Sequence, residues 1–436
     1  MNRSNLSTRL GCLLIVALLP ASALAIDPPA RETSRFALKT NYLQQSDEGI
    51  YELAFDNAHQ YVFAAVTDRV NREANRGYLY AFNPTSLKIE HRYEMPYRAF
   101  SLAMNQPQHR LYIGHTQSAS LRISLLDTAT GKLTKTSDRL SFKTPNAADS
   151  RFEHLRHMVY SQDADTLFVS YSNMLKTAQG TQPLHRLLML DGTTLALKGE
   201  VKEAYKGTAY GLTLDEKTQK IYVGGRDYIN EIDAKKQQVL RTIALKNTQP
   251  RLPSAQNLAV DADSARVFVV AFDHDDRSGP RDGLYIFDLR DGRQLGYVRT
   301  GAGANAVRYN PKYNELYVTN FTSGTLSVVD ATTYAVTREF RTPVYPNQMV
   351  LSADGDTLYV GIKEGFNRDW DPDVFVEGAK ERILRIDLRK SEPTGARSGP
   401  GGHSFLAHDA SYRTGGLKRP PFYVIVLRCR KRLVRF

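Results

Sequence analysis

Seven times in this chain an apolar run carries an aromatic residue at one fixed place: Phe63, Tyr112, Phe168, Tyr222, Phe268, Tyr317 and Tyr359. Seven residues before each anchor stands Asp56, Asn105, Ser161, Asp215, Asp261, Asn310 or Ser352. These residue types hydrogen-bond their own backbone at tight turns. Ten and eight residues before the anchors, the pairs Leu53/Phe55, Leu102/Met104, Met158/Tyr160, Leu212/Leu214, Leu258/Val260, Val307/Tyr309 and Met349/Leu351 are all apolar or tyrosine. Period-two burial, a turn and then an aromatic β-run describe a hairpin. Downstream, a second apolar run ends in Asn83, Asp127, Asp191, Asp233, Asp288, Asp330 or Asp387, and after six of these stops another β-rich stretch follows. Each repeat therefore holds four strands.

Four-stranded repeats of about 40–50 residues cannot bury both faces alone and stack radially. The spacing predicts an all-β chain, a seven-bladed β-propeller in one closed ring. Two tandem β-sandwiches, the alternative, do not predict one register held over all the repeats. After Asp387 the chain enters a stretch rich in Gly, Pro and Ser, so the last repeat lacks its own outer strand, and a spare β-like run at 35–40 precedes the first. This N-terminal strand is expected to pair as the outer strand of the last blade, leaving no open edge.

Outside the repeats the chain changes character. Arg3 and Arg9, an apolar core at 10–19 and the triplet Ala23, Leu24, Ala25 read as a secretory signal peptide at 1–25. That core is too short to span a bilayer, which takes roughly twenty residues. Cleavage after Ala25 and export to a periplasm or cell exterior are expected, with 26–390 as the propeller. Only Cys429 then remains, which leaves no internal disulfide and no thiolate metal site. The net charge of +12 invites a nucleic-acid reading, but residues 389–436 hold eleven Lys and Arg against two acids. Once the signal arginines are removed as well, the propeller is near neutral. Bulk charge therefore does not argue for nucleic acid; only a local patch does. The 391–436 tail reads as a disordered basic extension, either without function or lying on an anionic membrane surface.

Strand order fixes where function can sit. First-to-second and third-to-fourth turns share one rim and are short. The long insertions at 67–77, 172–185, 272–283 and 363–380, and a crossing at 136–153, fall on the other rim, where binding is expected. Twelve residues before the anchors come Tyr51, Phe100, Arg156, Tyr210, Gln256, Asn305 and Asn347, predicted to ring the channel mouth. Two residues earlier the column adds Arg98, His154 and Tyr345. Aromatic faces beside cations suit single-stranded nucleic acid; they also suit sugars, or peptides with carboxylates.

Residues 151–157 are the densest candidate for chemistry. Strand alternation puts His154 and Arg156 on one face and Glu153, Leu155 and His157 on the other, so these groups do not converge. No nucleophile is partnered to His154, and the chain is read as a binder, with a hydrolase or lactonase as an alternative. Asp369, Asp371 and Asp373 imitate the start of a calcium loop, but Val374 stands where glycine is needed. Asp273, Asp275 and Asp276 have Arg277 and Arg281 as ready partners. Neither loop is expected to hold a metal, and no cofactor is expected.

Residues 317–320 read Tyr-Val-Thr-Asn. With Asn310 and Pro311 before them, and Pro346 through Val360 after, they resemble the YVTN-repeat β-propellers of the YncE-like group. The resemblance covers most of residues 35–388 and is sharpest in the last two blades. It implies a periplasmic propeller without an established reaction and with no catalytic motif. The resemblance also implies single-stranded DNA binding, as among relatives, with surface-layer and adhesion modules among related propellers; a scaffold for a protein partner is a further alternative.

Overall fold

In the computed structural model, the described residues are 38–389 apart from 44–47, 69–74, 117–120, 141–152, 178–179, 207–209, 274–275, 277, 344 and 364–379. Both the proposed signal peptide and the tail lie outside them, as does the calcium-like loop at 369–373. The described strands form seven four-stranded antiparallel sheets, each connected in sequence order except the last. Blade one is Glu48–Asp56, Tyr61–Asp68, Gly77–Phe82 and Ile89–Met95. First strands touch the first strands of both neighbouring blades, including blade seven against blade one, so the ring is closed around them.

The anchors hold the register that their spacing implied. The residue nine places before each anchor is its direct cross-strand partner, from Ala54 opposite Phe63 to Val350 opposite Tyr359. Every anchor is at most 3% exposed. The turn between them is set by the polar residue of the repeat. Asp56 Oδ1 accepts from the Ala58 and His59 amides, Asn310 Oδ1 from Lys312, and Ser352 Oγ from Thr357. Three residues before the anchor, Gln60, His109, Asp165, Gln219, Ala265 and Asn314 adopt a left-handed φ of 40–54°. Blade seven turns instead through Gly355 at φ 70°, where the missing Cβ removes the steric cost.

Seven apolar clusters fill the space between blades, one at each junction. Polar ties reinforce them on the short-turn rim. Tyr112 donates to the carbonyl of Gly192 at 2.7 Å, and Tyr359 to that of Pro84 at 2.9 Å, in each case the residue after the acidic or amide stop of the next blade. In blade five the anchor is Phe268, which has no hydroxyl, and Arg266 donates to the equivalent Ala331 carbonyl.

The last blade takes its fourth strand from the other end of the chain. Leu38–Tyr42 pairs antiparallel with Arg382–Asp387, from Leu38 opposite Ile386 to Tyr42 opposite Arg382. The chain then turns inward through Leu43, 1% exposed, whose amide donates to the Glu381 carbonyl at 2.8 Å. The carboxylate of Glu381 accepts from the Ile50 amide of blade one, so one residue ties both sides of the seam. One expected loop is not a loop: residues 172–185 mostly extend a hairpin, Thr166–Thr177 paired with Gly180–Asp191. Its strands keep their ladder because consecutive residues go on finding partners, up to Thr177 opposite Gly180.

Because the closing strand completes the sheet edge and Leu43 fills the seam, Leu43→Ala is expected to cost about 2–5 kcal/mol. Deletion of residues 38–42 is expected to lower the urea midpoint further and to broaden the transition. Chemical denaturation followed by tryptophan-independent far-UV signal checks both.

Candidate functional site

A recurring backbone irregularity builds the channel mouth. In six blades the first strand carries a β-bulge, between Ile50 and Leu53, Ala99 and Ser101, Leu155 and Met158, Ala255 and Asn257, Ala304 and Ala306, and Pro346 and Met349. In every case the residue twelve places before the anchor lies inside the bulge and has no ladder partner. Bulges re-aim side chains, and this one frees Tyr51, Phe100, Arg156, Gln256, Asn305 and Asn347 from the ladder. In blade four Tyr210 stands just ahead of the first strand, Gly211–Asp215, instead.

Neighbouring members of this ring touch in blade order. Asn305 Nδ2 donates to Asn347 Oδ1 at 2.9 Å, and Asn347 Nδ2 donates to the Tyr51 carbonyl at 2.9 Å. The Tyr51 and Phe100 rings lie 4.4 Å apart, and Phe100 and His154 5.6 Å. The Arg156 guanidinium sits 4.4 Å from the centre of the Tyr210 ring. Gln256 is buried beside Ser254, at 3.5 Å. Four predicted members are buried, Arg98 and Tyr345 at 6% exposure, Gln256 at 7% and Asn347 at 8%, and Tyr345 packs on Phe321 at 4.7 Å. Arg98 and Tyr345 sit one residue ahead of the bulge.

Two residues missed by spacing complete the mouth. Lys363 Nζ lies 3.5 Å from the Tyr51 ring centre, a cation–π contact at the start of the 363–380 insertion. His185 meets Tyr210 edge-on at 5.2 Å and Tyr205 at 6.0 Å. His154, Ser172 and His185 form one row across three strands, by direct pairing of His154 with Ser172 and Ser172 with His185. Extending the hairpin register past residue 172 would have found His185.

The electrostatics are those of a cationic rim. Burial, with the like charges of Arg156 and Lys363 added, pushes His154 down to about 3. Burial and Arg156 likewise push His185 down to about 4, and its ring nitrogens have no hydrogen-bond partner among the described residues. His154 Nδ1 shares a 2.5 Å hydrogen bond with the Thr116 hydroxyl, but Thr116 is 3% exposed and presents no nucleophile to a substrate.

The alternation expected for residues 153–157 does not hold. Glu153 accepts from the Tyr171 hydroxyl at 2.9 Å, Leu155 is core, and His157 lines the channel with its Nδ1 3.6 Å from Glu52 Oε2. The bulge between Leu155 and Met158 breaks the period-two pattern that would have put them on one face. At the 272–283 insertion Asp273 is held by Arg281 through Nε at 2.8 Å, the partner its spacing implied.

A histidine held neutral by burial destabilises the fold in acid, because the unfolded chain binds a proton that the native state refuses. For His115, also pushed to about 4 by burial, and for His154 and His185, stability is complete above about pH 6.5 and falls as pH drops toward 4. His185→Gln should reduce the slope of stability against pH between 6.5 and 5, by an amount approaching about 1.4 kcal/mol per pH unit at the acid end. Urea midpoints measured across that range check it, in a window above the titration of the chain's paired carboxylates.

No protein-family model matches the chain. It is 28% identical over 362 residues to the uncharacterized protein YncE of Salmonella typhi, covering 82% of this chain and 93% of the relative. The corresponding protein of Escherichia coli strain K12 is 26% identical over 361 residues, covering 82% and 93%. With this similarity over most of its length and seven four-stranded sheets in the order observed, this chain is a YncE-like seven-bladed β-propeller.

Proposed function

We propose that this propeller is an exported binding protein that holds an extended anionic polymer carrying flat rings, single-stranded DNA, across the mouth of its channel. One observation carries the reading: the run Tyr51, Phe100, His154, with Lys363 on one end and the Arg156–Tyr210 pair beside it. Rings give bases a stacking surface without sequence preference, and the cations meet phosphates. Export rests on the N-terminal sequence pattern. No described helix is long and apolar enough to cross a membrane.

The extended hairpin of blade three supports a second reading, a docking arm for a protein partner. Its strands run twelve residues each where those of blade one run six to nine. Shortening the hairpin abolishes a protein interaction but leaves oligonucleotide affinity in place.

The polymer reading is tested with residues 26–390, since the cations of the tail bind DNA through charge alone. A labelled oligothymidine is expected to bind with an affinity that falls with salt. Arg156→Ala should lower the salt slope by about 0.7, and Arg156→Ala with Tyr210→Ala should weaken binding by roughly tenfold or more at the loss of about 1–3 kcal/mol per stacked base. Affinity unchanged in the double variant overturns the reading.

A further inference from the structure

The short-turn rim, away from the mouth, brings two histidines together. His59 lies in the turn between the first two strands of blade one, and His109 in the equivalent turn of blade two. Their ring centres are 5.0 Å apart, with the planes at 70° to one another. The two turns are braced against each other. Gln106 Nε2 donates to the Phe55 carbonyl at 2.6 Å, while its Oε1 accepts from the Asn57 amide at 3.0 Å. The Thr128 amide, from the next turn of blade two, donates to the His109 carbonyl at 2.8 Å.

The tautomer of His59 is set by its neighbour. Its Nδ1 is 2.9 Å from Asp56 Oδ2, and an ionised carboxylate only accepts, so Nδ1 carries the proton and Nε2 presents a lone pair. No described residue hydrogen-bonds to that Nε2. On His109, Nδ1 is buried and has no hydrogen-bond partner among the described residues. An edge-to-face ring contact by itself leaves that nitrogen unsatisfied, which costs free energy. A carboxylate behind a histidine, fixing its tautomer and aiming the other nitrogen, is the usual support of a metal-binding imidazole. Two imidazoles that share one tetrahedral ion, each through nitrogen at about 2.1 Å, hold their ring centres about 5 Å apart. That is the separation of His59 and His109. Asp127 lies within electrostatic reach of His109, so a carboxylate attends each ring and favours a dication. Among the described residues no third His, Cys, Asp or Glu joins the pair. We propose that His59 and His109 bind one divalent transition metal of the zinc class, each through one ring nitrogen with water completing the coordination, and so clamp blade one to blade two. Nitrogen ligands disfavour magnesium and calcium, which take oxygen.

The test is zinc chloride titrated into the full chain, read by calorimetry and by the urea midpoint. Zinc is expected to bind and to raise the midpoint by an amount that grows with its concentration, because the unfolded chain lacks the paired turns. Magnesium is expected to leave the midpoint in place. His59→Gln and His109→Gln should each weaken zinc by about tenfold or more and remove most of the rise. Both substitutions suit the fold: Gln108 holds the place of His59 in blade two, and Gln60 and Gln219, at φ 54° and 53°, hold the place that His109 occupies at 52°. Both variants keep the histidines and cysteine of the tail, so their difference from the native chain reports the rim alone. Asp56→Asn, which keeps an acceptor for the turn but loses the carboxylate, should weaken zinc by about tenfold. A midpoint that zinc does not raise overturns the proposal. So does a rise that survives either histidine substitution in full, or an equal rise with magnesium.

Discussion

The pairing of Leu38–Tyr42 with Arg382–Asp387 is the contact on which the remaining structure depends. Each sheet is too small to stand alone and each apolar cluster lies between two blades, so the cluster between blades seven and one is intact only while the ring is shut. The ends of the chain meet in blade seven, and Glu381 bonds at once to Leu43 of the N-terminal segment and to Ile50 of blade one. Closure therefore couples the most distant parts of the sequence. It also places the first strand of blade seven beside that of blade one, which is what allows Asn347 to reach the Tyr51 carbonyl.

Against this rigid frame, the bulge is the device that makes a site. Regular alternation would have paired every residue of the first strand. In six blades the bulge withdraws the residue twelve places before the anchor from the ladder, together with the next residue in blades one, three and seven, and most of the ring of mouth residues comes from these withdrawals. The same irregularity separates His154 and Arg156 at the mouth from His157 in the lumen. Two levels thus arise from one backbone feature, an aromatic and cationic rim above and the opposed charges of Glu52 and Arg308 in the lumen below. The low pKa values of His154 and His185 follow from that placement, since crowded cations and burial both penalise a further positive charge.

Much of this was legible in the amino-acid order because the information is local and periodic. Anchor, turn residue and apolar pairs recur at fixed offsets, and local hydrogen bonds such as those of Asp56 and Asn310 enforce them. Counting back twelve residues found the mouth for the same reason: the bulge falls at one place in the repeat. Spacing also proposed Arg98 and Tyr345, which blade packing buries, and treated 172–185 as a loop where the hairpin ladder continues. Those outcomes depend on what lies beside a residue, which periodicity does not record.

The sequence by itself determined the all-β class, the number of blades, the strand that closes the ring and the place in the repeat where the bulge falls, because each follows from the spacing of the repeat. Only the tertiary structure decided which side chains meet. Lys363 covers Tyr51 from a different blade, His185 reaches Tyr210 across a blade junction, and Arg308 faces Glu52 with more than two hundred and fifty residues between them in the chain. Such contacts join blades through the geometry of a closed ring, and no local pattern specifies what stands on the far side of a channel.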